Sequence, residues 1–208
     1  MVSAKQGRCK LGTVVKSNSH CDYVVQLNTG RDVIDPPAIG DYGFGQFVTL
    51  ETEKQHWAVG IIYNSQLFNP AFLNNGPQLT GIPDPLFTPD LIQETKTLLN
   101  VVLVGSLAHQ GKHIYGQHGI PRHVVPVNMP VYCMDAKSRH QFHLTADKQP
   151  QFRYYGHLLN CGGTFATQLT QQVLTELSDS GLFSDTDQRA LQVLCKELAW
   201  KNTLGAIG

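Results

Sequence analysis

Between residues 40 and 63 the apolar positions alternate, break for a polar turn, and resume. Along 46–50, Phe47 and Thr49 fall on one face of an extended chain and Val48 and Leu50 on the other. Residues 51–55 carry three charges and no apolar side chain, the composition of a turn in water. The return strand, 57–63, places Val59, Ile61 and Tyr63 on one face and Ala58, Gly60 and Ile62 on the other. Apolar groups on both faces predict a strand covered on both sides, as in a small barrel. Gly60 in mid-strand weakens it unless something packs close by.

The same reading extends in both directions. Residues 11–15 and 22–27 predict two short strands, and 100–107 a buried one, with Val101 to Val104 as its centre. Residues 67–88, rich in Asn, Pro and Gly, read as a long irregular loop. Thr88 and Pro89 then read as the start of a helix over 90–99. Residues 109–123, rich in Gly and His, read as a loop, and 124–133 as an edge strand or two short ones, because Pro126 and Pro130 interrupt it. From about Ala146 the period lengthens to 3.6. A short helix is expected within 152–159, and an amphipathic one over 164–177 with Phe165, Leu169, Val173 and Leu177 on one stripe. A further helix follows Ser184, over 185–200. The expected fold class is α+β, mainly β: a small closed β-barrel over 1–145, with a loop/helix insertion at about 65–99, then a C-terminal helical appendage over 146–208.

The order of short motifs resembles a known barrel. Gly12-Thr13-Val14-Val15 opens a glycine-led first strand, Gly40-Asp41-Tyr42 precedes the strand containing Val48, and Val59-Gly60-Ile61-Ile62 follows. This is similar to the HAS-barrel, the N-terminal β-barrel of HerA-type hexameric ATPases and of ATP-synthase α and β subunits, across about the first third of the chain. The resemblance implies a non-catalytic collar that helps hold a ring together and docks partners. It does not extend to a motor. The phosphate loop of such motors reads GxxxxGK followed by Ser or Thr. Here Gly111-Lys112 is followed by His113, and Gly105 lies one residue too far upstream, so the hydroxyl that binds Mg²⁺ is missing.

Composition narrows the field. Charged residues make up 15% of the chain, against ~25% in an average soluble protein, which points to a surface rich in uncharged polar groups or covered by a partner. Sixteen basic residues balance sixteen acidic ones, and no cluster of Lys and Arg marks a phosphate-binding track. The five cysteines, Cys9, Cys21, Cys133, Cys161 and Cys195, are scattered with no CxxC pair, which reads as free thiols in a reducing compartment. The first residues lack a signal-peptide core and no apolar run reaches membrane-spanning length. A cytoplasmic location is expected.

The chemistry-bearing residues point in three directions. His109, His113, His118 and His123 lie close together in sequence and are the candidate metal ligands, but HExxH is absent and no Asp or Glu falls between Glu94 and Asp135. Cys133 with His140 or His143 and Asp135 has the ingredients of a nucleophile, base and orienting acid, without a GxSxG elbow. Phe44, Trp57, Tyr154 and Tyr155 are candidate partner-binding aromatics. Tyr154 and Tyr155, beside Arg153, have two further readings: a platform for bases, or buried links between barrel and helices. The expectation is a non-enzymatic protein-interaction or assembly module that needs no cofactor. It forms homo-oligomers or docks a protein partner, such as a HerA-like ATPase. A nucleic-acid-binding barrel and a metal-dependent hydrolase built on the histidines are the alternatives.

Overall fold

The computed structural model describes residues 8–52, 55–68, 96–111, 113–161, 163–181, 183–186, 188–189, 191–193 and 195–197. Seven strands are present among them: β1 (Lys10–Ser17), β2 (Asp22–Leu27), β3 (Phe47–Glu51), β4 (His56–Phe68), β5 (Lys96–Gln110), β6 (His113–His118) and β7 (Pro130–Cys133). Their pairing order is β2-β1-β7-β3-β4-β5-β6, and β2 also pairs with β5. That last pairing closes six antiparallel strands into a barrel and leaves β6 outside the ring. The helices are α1 (Ala136–Phe142), α2 (Tyr155–Cys161) and α3 (Ala166–Asp179), with further helical backbone between 185 and 197. The fold is therefore α+β and mainly β, a small closed barrel followed by a helical appendage.

Both faces of the central hairpin are buried, each against a different partner. Val48, Leu50, Ala58 and Ile62 point into the barrel, where they meet Leu11, Val25, Val101 and Leu103. Phe47, Val59, Ile61 and Tyr63 point outward, against Phe142, Tyr154, Leu158, Leu169, Val173 and Leu177 of the helical layer. One set of strands thus serves two cores, which is why period-two alternation carries apolar groups on both sides. Gly60 lies opposite β5 so closely that a Cβ there would run into the Val101 side chain, and a Cβ on Gly12 would run into the Gln26 carbonyl. These two glycines let neighbouring strands approach at the tight curvature that a six-strand ring demands.

Several expected elements differ. Residues 96–99 belong to β5 instead of a helix, because Leu98 and Leu99 pair with both β2 and β4. Ladder bonds on both edges outweigh a local helical pattern. The earlier part of that helix and most of the 65–99 insertion lie outside the described residues. The 109–123 stretch is mostly no loop: β5 runs on beyond the barrel, and His113–His118 folds back on it from Gly105↔His118 to Gln110↔His113. This two-stranded arm projects from the ring. Finally, β7 is no edge strand but sits between β1 and β3. Pro130 is tolerated because it is the strand's first residue and pairs only with β1. The expected helices near 152–159 and 164–177 appear as α2 and α3, and α3 buries Leu169, Val173, Leu174 and Leu177. Phe165, expected on the same stripe, sits just before α3 and is exposed.

Candidate functional site

The junction between the arm and the helices is where the chemistry-bearing residues concentrate. Asp135 starts α1: its Oδ1 accepts from the Ser138 amide at 2.7 Å and its Oδ2 from the Ser138 hydroxyl at 3.2 Å. The helix ends at His143, which is 1% exposed. Nδ1 of His143 lies 2.7 Å from the Arg139 carbonyl, an acceptor only, so Nδ1 must carry the proton. Nε2 is then the acceptor, and the Tyr154 hydroxyl donates to it at 2.8 Å. The same logic fixes His118. Its Nδ1 accepts from the Arg153 amide at 3.1 Å, so Nε2–H donates to the Phe142 carbonyl at 2.8 Å.

Both imidazoles are held neutral. Burial pushes the pKa of His118 down to about 4, even though the Phe142 carbonyl favours the proton. Burial likewise pushes His143 down to about 3, with His118 a smaller influence in the same direction. Tyr154 is fully buried and its hydroxyl is held well above its ordinary value, also by burial. Around these groups stand Phe47, Phe142, Phe152 and Phe183, with Phe152 and Tyr154 edge-to-face at 4.6 Å. Gln151 completes the junction: its side-chain amide donates to the carbonyls of Gly116 (2.7 Å) and Leu144 (2.9 Å), stitching the arm to the chain after α1.

This arrangement decides what the candidate residues can do. His118 has no lone pair left for a metal. His109 and His113 stand at the tip of the arm and His123 in the loop beyond it, so the four histidines do not converge. Among the described residues no group of three or more His, Cys, Asp or Glu is placed to hold a metal ion. Cys133 accepts a hydrogen bond from the Gln46 amide at 3.1 Å, and burial raises its thiol pKa. His143 is spent on Tyr154 and Asp135 on its cap, so these three form no nucleophilic relay. Tyr154 cannot meet a partner, because it is buried as a link between barrel and helices. Tyr155 is half-buried at the edge of the same core. Trp57 lies on β4, and its side chain falls outside the described ones. A concrete expectation follows: Tyr154→Phe leaves the buried Nε2 of His143 without a donor and lowers stability by about 1–3 kcal/mol. A urea unfolding midpoint equal to wild type would contradict that pairing.

Phe44 reaches solvent. It is 37% exposed and meets Phe165, 47% exposed, edge-to-face with centroids 6.2 Å apart. Gln172 of α3 donates to the Phe44 carbonyl at 2.9 Å and fixes the loop against the helix. Ile34 and Ile39 of the same β2–β3 segment are also exposed. Phe165 was hidden from sequence reasoning because it sits in register with a buried stripe, one residue before α3 begins.

No helix among the described residues is long and apolar enough to cross a membrane. The sequence matches the family described as Domain of unknown function (DUF8166) over residues 1–208. No curated protein matches it.

Proposed function

We propose that this chain, which belongs to the DUF8166 family, is a non-catalytic docking and assembly module whose partner is a HerA-type ATPase supplied by another chain. The observation that carries this reading is the exposed Phe44–Phe165 pair. Two aromatic rings meet edge-to-face at the surface, with the Phe44 backbone tied to α3 by Gln172, and present apolar area of the kind an interface anchor uses. The motifs that resemble the HAS-barrel have structural work in this fold that supports the same reading. Gly12 and Gly60 permit the close strand approaches of the ring. Asp41 accepts from the Ala38 amide at 2.8 Å and from the Cys9 thiol at 3.4 Å, joining the start of β1 to the segment before β3. The low charge content fits a surface partly covered in an assembly.

The first test is the oligomeric state. Light scattering on the purified chain should show a mass above the monomer, or a monomer that shifts to a complex when a HerA-type ATPase is added. Replacing Phe44 and Phe165 by Ser should abolish that association while leaving the chain folded, since both rings lie at the surface outside the two buried cores. A chain that stays monomeric with and without the ATPase would overturn the reading.

A further inference from the structure

A cleft of about 910 Å³ opens beside the arm. One wall is the loop 119–123. His20 anchors it by donating from Nε2 to the Pro121 carbonyl at 2.7 Å, and the Val125 amide, just beyond, donates to the Tyr23 hydroxyl at 3.1 Å. The other wall is the segment 145–153. A turn in which the Thr145 amide donates to the Gln149 carbonyl at 2.8 Å fixes its start, and His118 and Gln151 fix its end. The walls are therefore set before anything enters, so little ordering cost would accompany binding.

The charges in this cleft are uneven, although the whole chain is neutral. Arg122 stands on one wall and Arg153 on the other, both exposed, and neither has an ion-pair partner among the described residues. Asp147 is the one carboxylate of the lining. Guanidinium groups present paired donors that match the oxygens of a phosphate. The same cleft is bordered by Tyr115, whose ring stacks on His113 at 6.0 Å and 19°. A stacked aromatic pair offers a face on which a nucleobase can lie. The volume is that of a small-molecule site, within the usual range of roughly 300–1,000 Å³.

We infer that this cleft binds a mononucleotide, with its phosphate between Arg122 and Arg153 and its base against Tyr115. The phosphate contact weakens with rising salt, because both guanidiniums are exposed.

Calorimetric titration of the full chain with adenosine monophosphate at low ionic strength tests this. The expected result is saturable one-to-one binding that is weakened about tenfold or more in the R122Q/R153Q double variant, and about tenfold or more in Tyr115→Ala. The double variant should keep the wild-type unfolding midpoint, since the two arginines are exposed and lie outside the packed cores. Inorganic phosphate should bind far more weakly than the nucleotide. Absence of saturable binding, wild-type affinity in the double variant, or equal affinity for inorganic phosphate would each overturn the inference. So would binding of an oligothymidine with none of the mononucleotide, which would assign the surface to a polymer.

Discussion

Acidification from pH 8 to pH 5 is expected to remove roughly 4 kcal/mol of folding stability through two histidines alone. In the unfolded chain His118 and His143 titrate near the ordinary imidazole value of 6.5; in the fold burial lowers them to about 4 and about 3. Above pH 6.5 both states bind no proton at these sites, and the stability is fully present. Below it the unfolded chain takes up two protons that the folded chain refuses until pH falls through the folded values. Each site thus costs about 2 kcal/mol at pH 5, where 1.5 pH units separate the solution from the unfolded value. Denaturant midpoints measured between pH 8 and pH 5 should fall steadily, starting near pH 6.5. A midpoint that is flat over that range would contradict the buried, neutral state of the pair.

The second large effect comes from a single methyl group. Gly116 of β6 passes so close to the end of α1 that a Cβ would collide with the Phe142 carbonyl oxygen and lie 2.7 Å from its carbon. These are backbone atoms, with no side-chain rotation to relieve them. Gly116→Ala must therefore lift the arm from α1. It breaks the Gly116 amide bond to the Leu144 carbonyl (3.0 Å) and the Gln151 bond to the Gly116 carbonyl. A loss of about 3 kcal/mol is expected. Gly156→Ala in α2 is the control: nothing lies within 4 Å of its Cβ position, so helix propensity makes it neutral or stabilising by up to about 1 kcal/mol. Equal unfolding midpoints for the two variants would contradict the close approach.

Particular residues show why some of this architecture was legible in the sequence and some was not. Val48, Leu50, Phe47, Val59 and Ile61 were assigned correctly to two faces, because a strand's period of two survives whatever packs on it. The arm was not legible. His109, His113 and Gly116 carry no strand pattern, and they are extended because β5 overshoots the barrel and offers a free edge, with Gly111 in the turn between the two strands. Leu98 and Leu99 resembled a helix until their two neighbouring strands were known. The first helix was missed because seven residues with one buried side chain leave little periodicity, although Asp135 followed by Ser138 was its visible cap. Tyr154 and His143 are the most instructive pair. Each looks like a functional residue in isolation, and only the packed structure shows that they satisfy one another in the interior. Sequence spacing brought four histidines near one another, whereas the fold places His109 and His113 at the arm's tip, His118 at its base with both nitrogens used, and His123 in the loop beyond.

His118, His143 and Tyr154 are engaged with one another and with the backbone in the interior, whereas Phe44 and Phe165 meet at the surface. The most direct test of that account is affinity purification of the tagged chain from its source cells, in parallel with the F44S/F165S variant, followed by quantitative mass spectrometry. The account predicts that a HerA-type ATPase is enriched with the wild-type chain and is lost, by about tenfold or more, with the variant. Absence of any such ATPase, or its equal recovery with both chains, would contradict it.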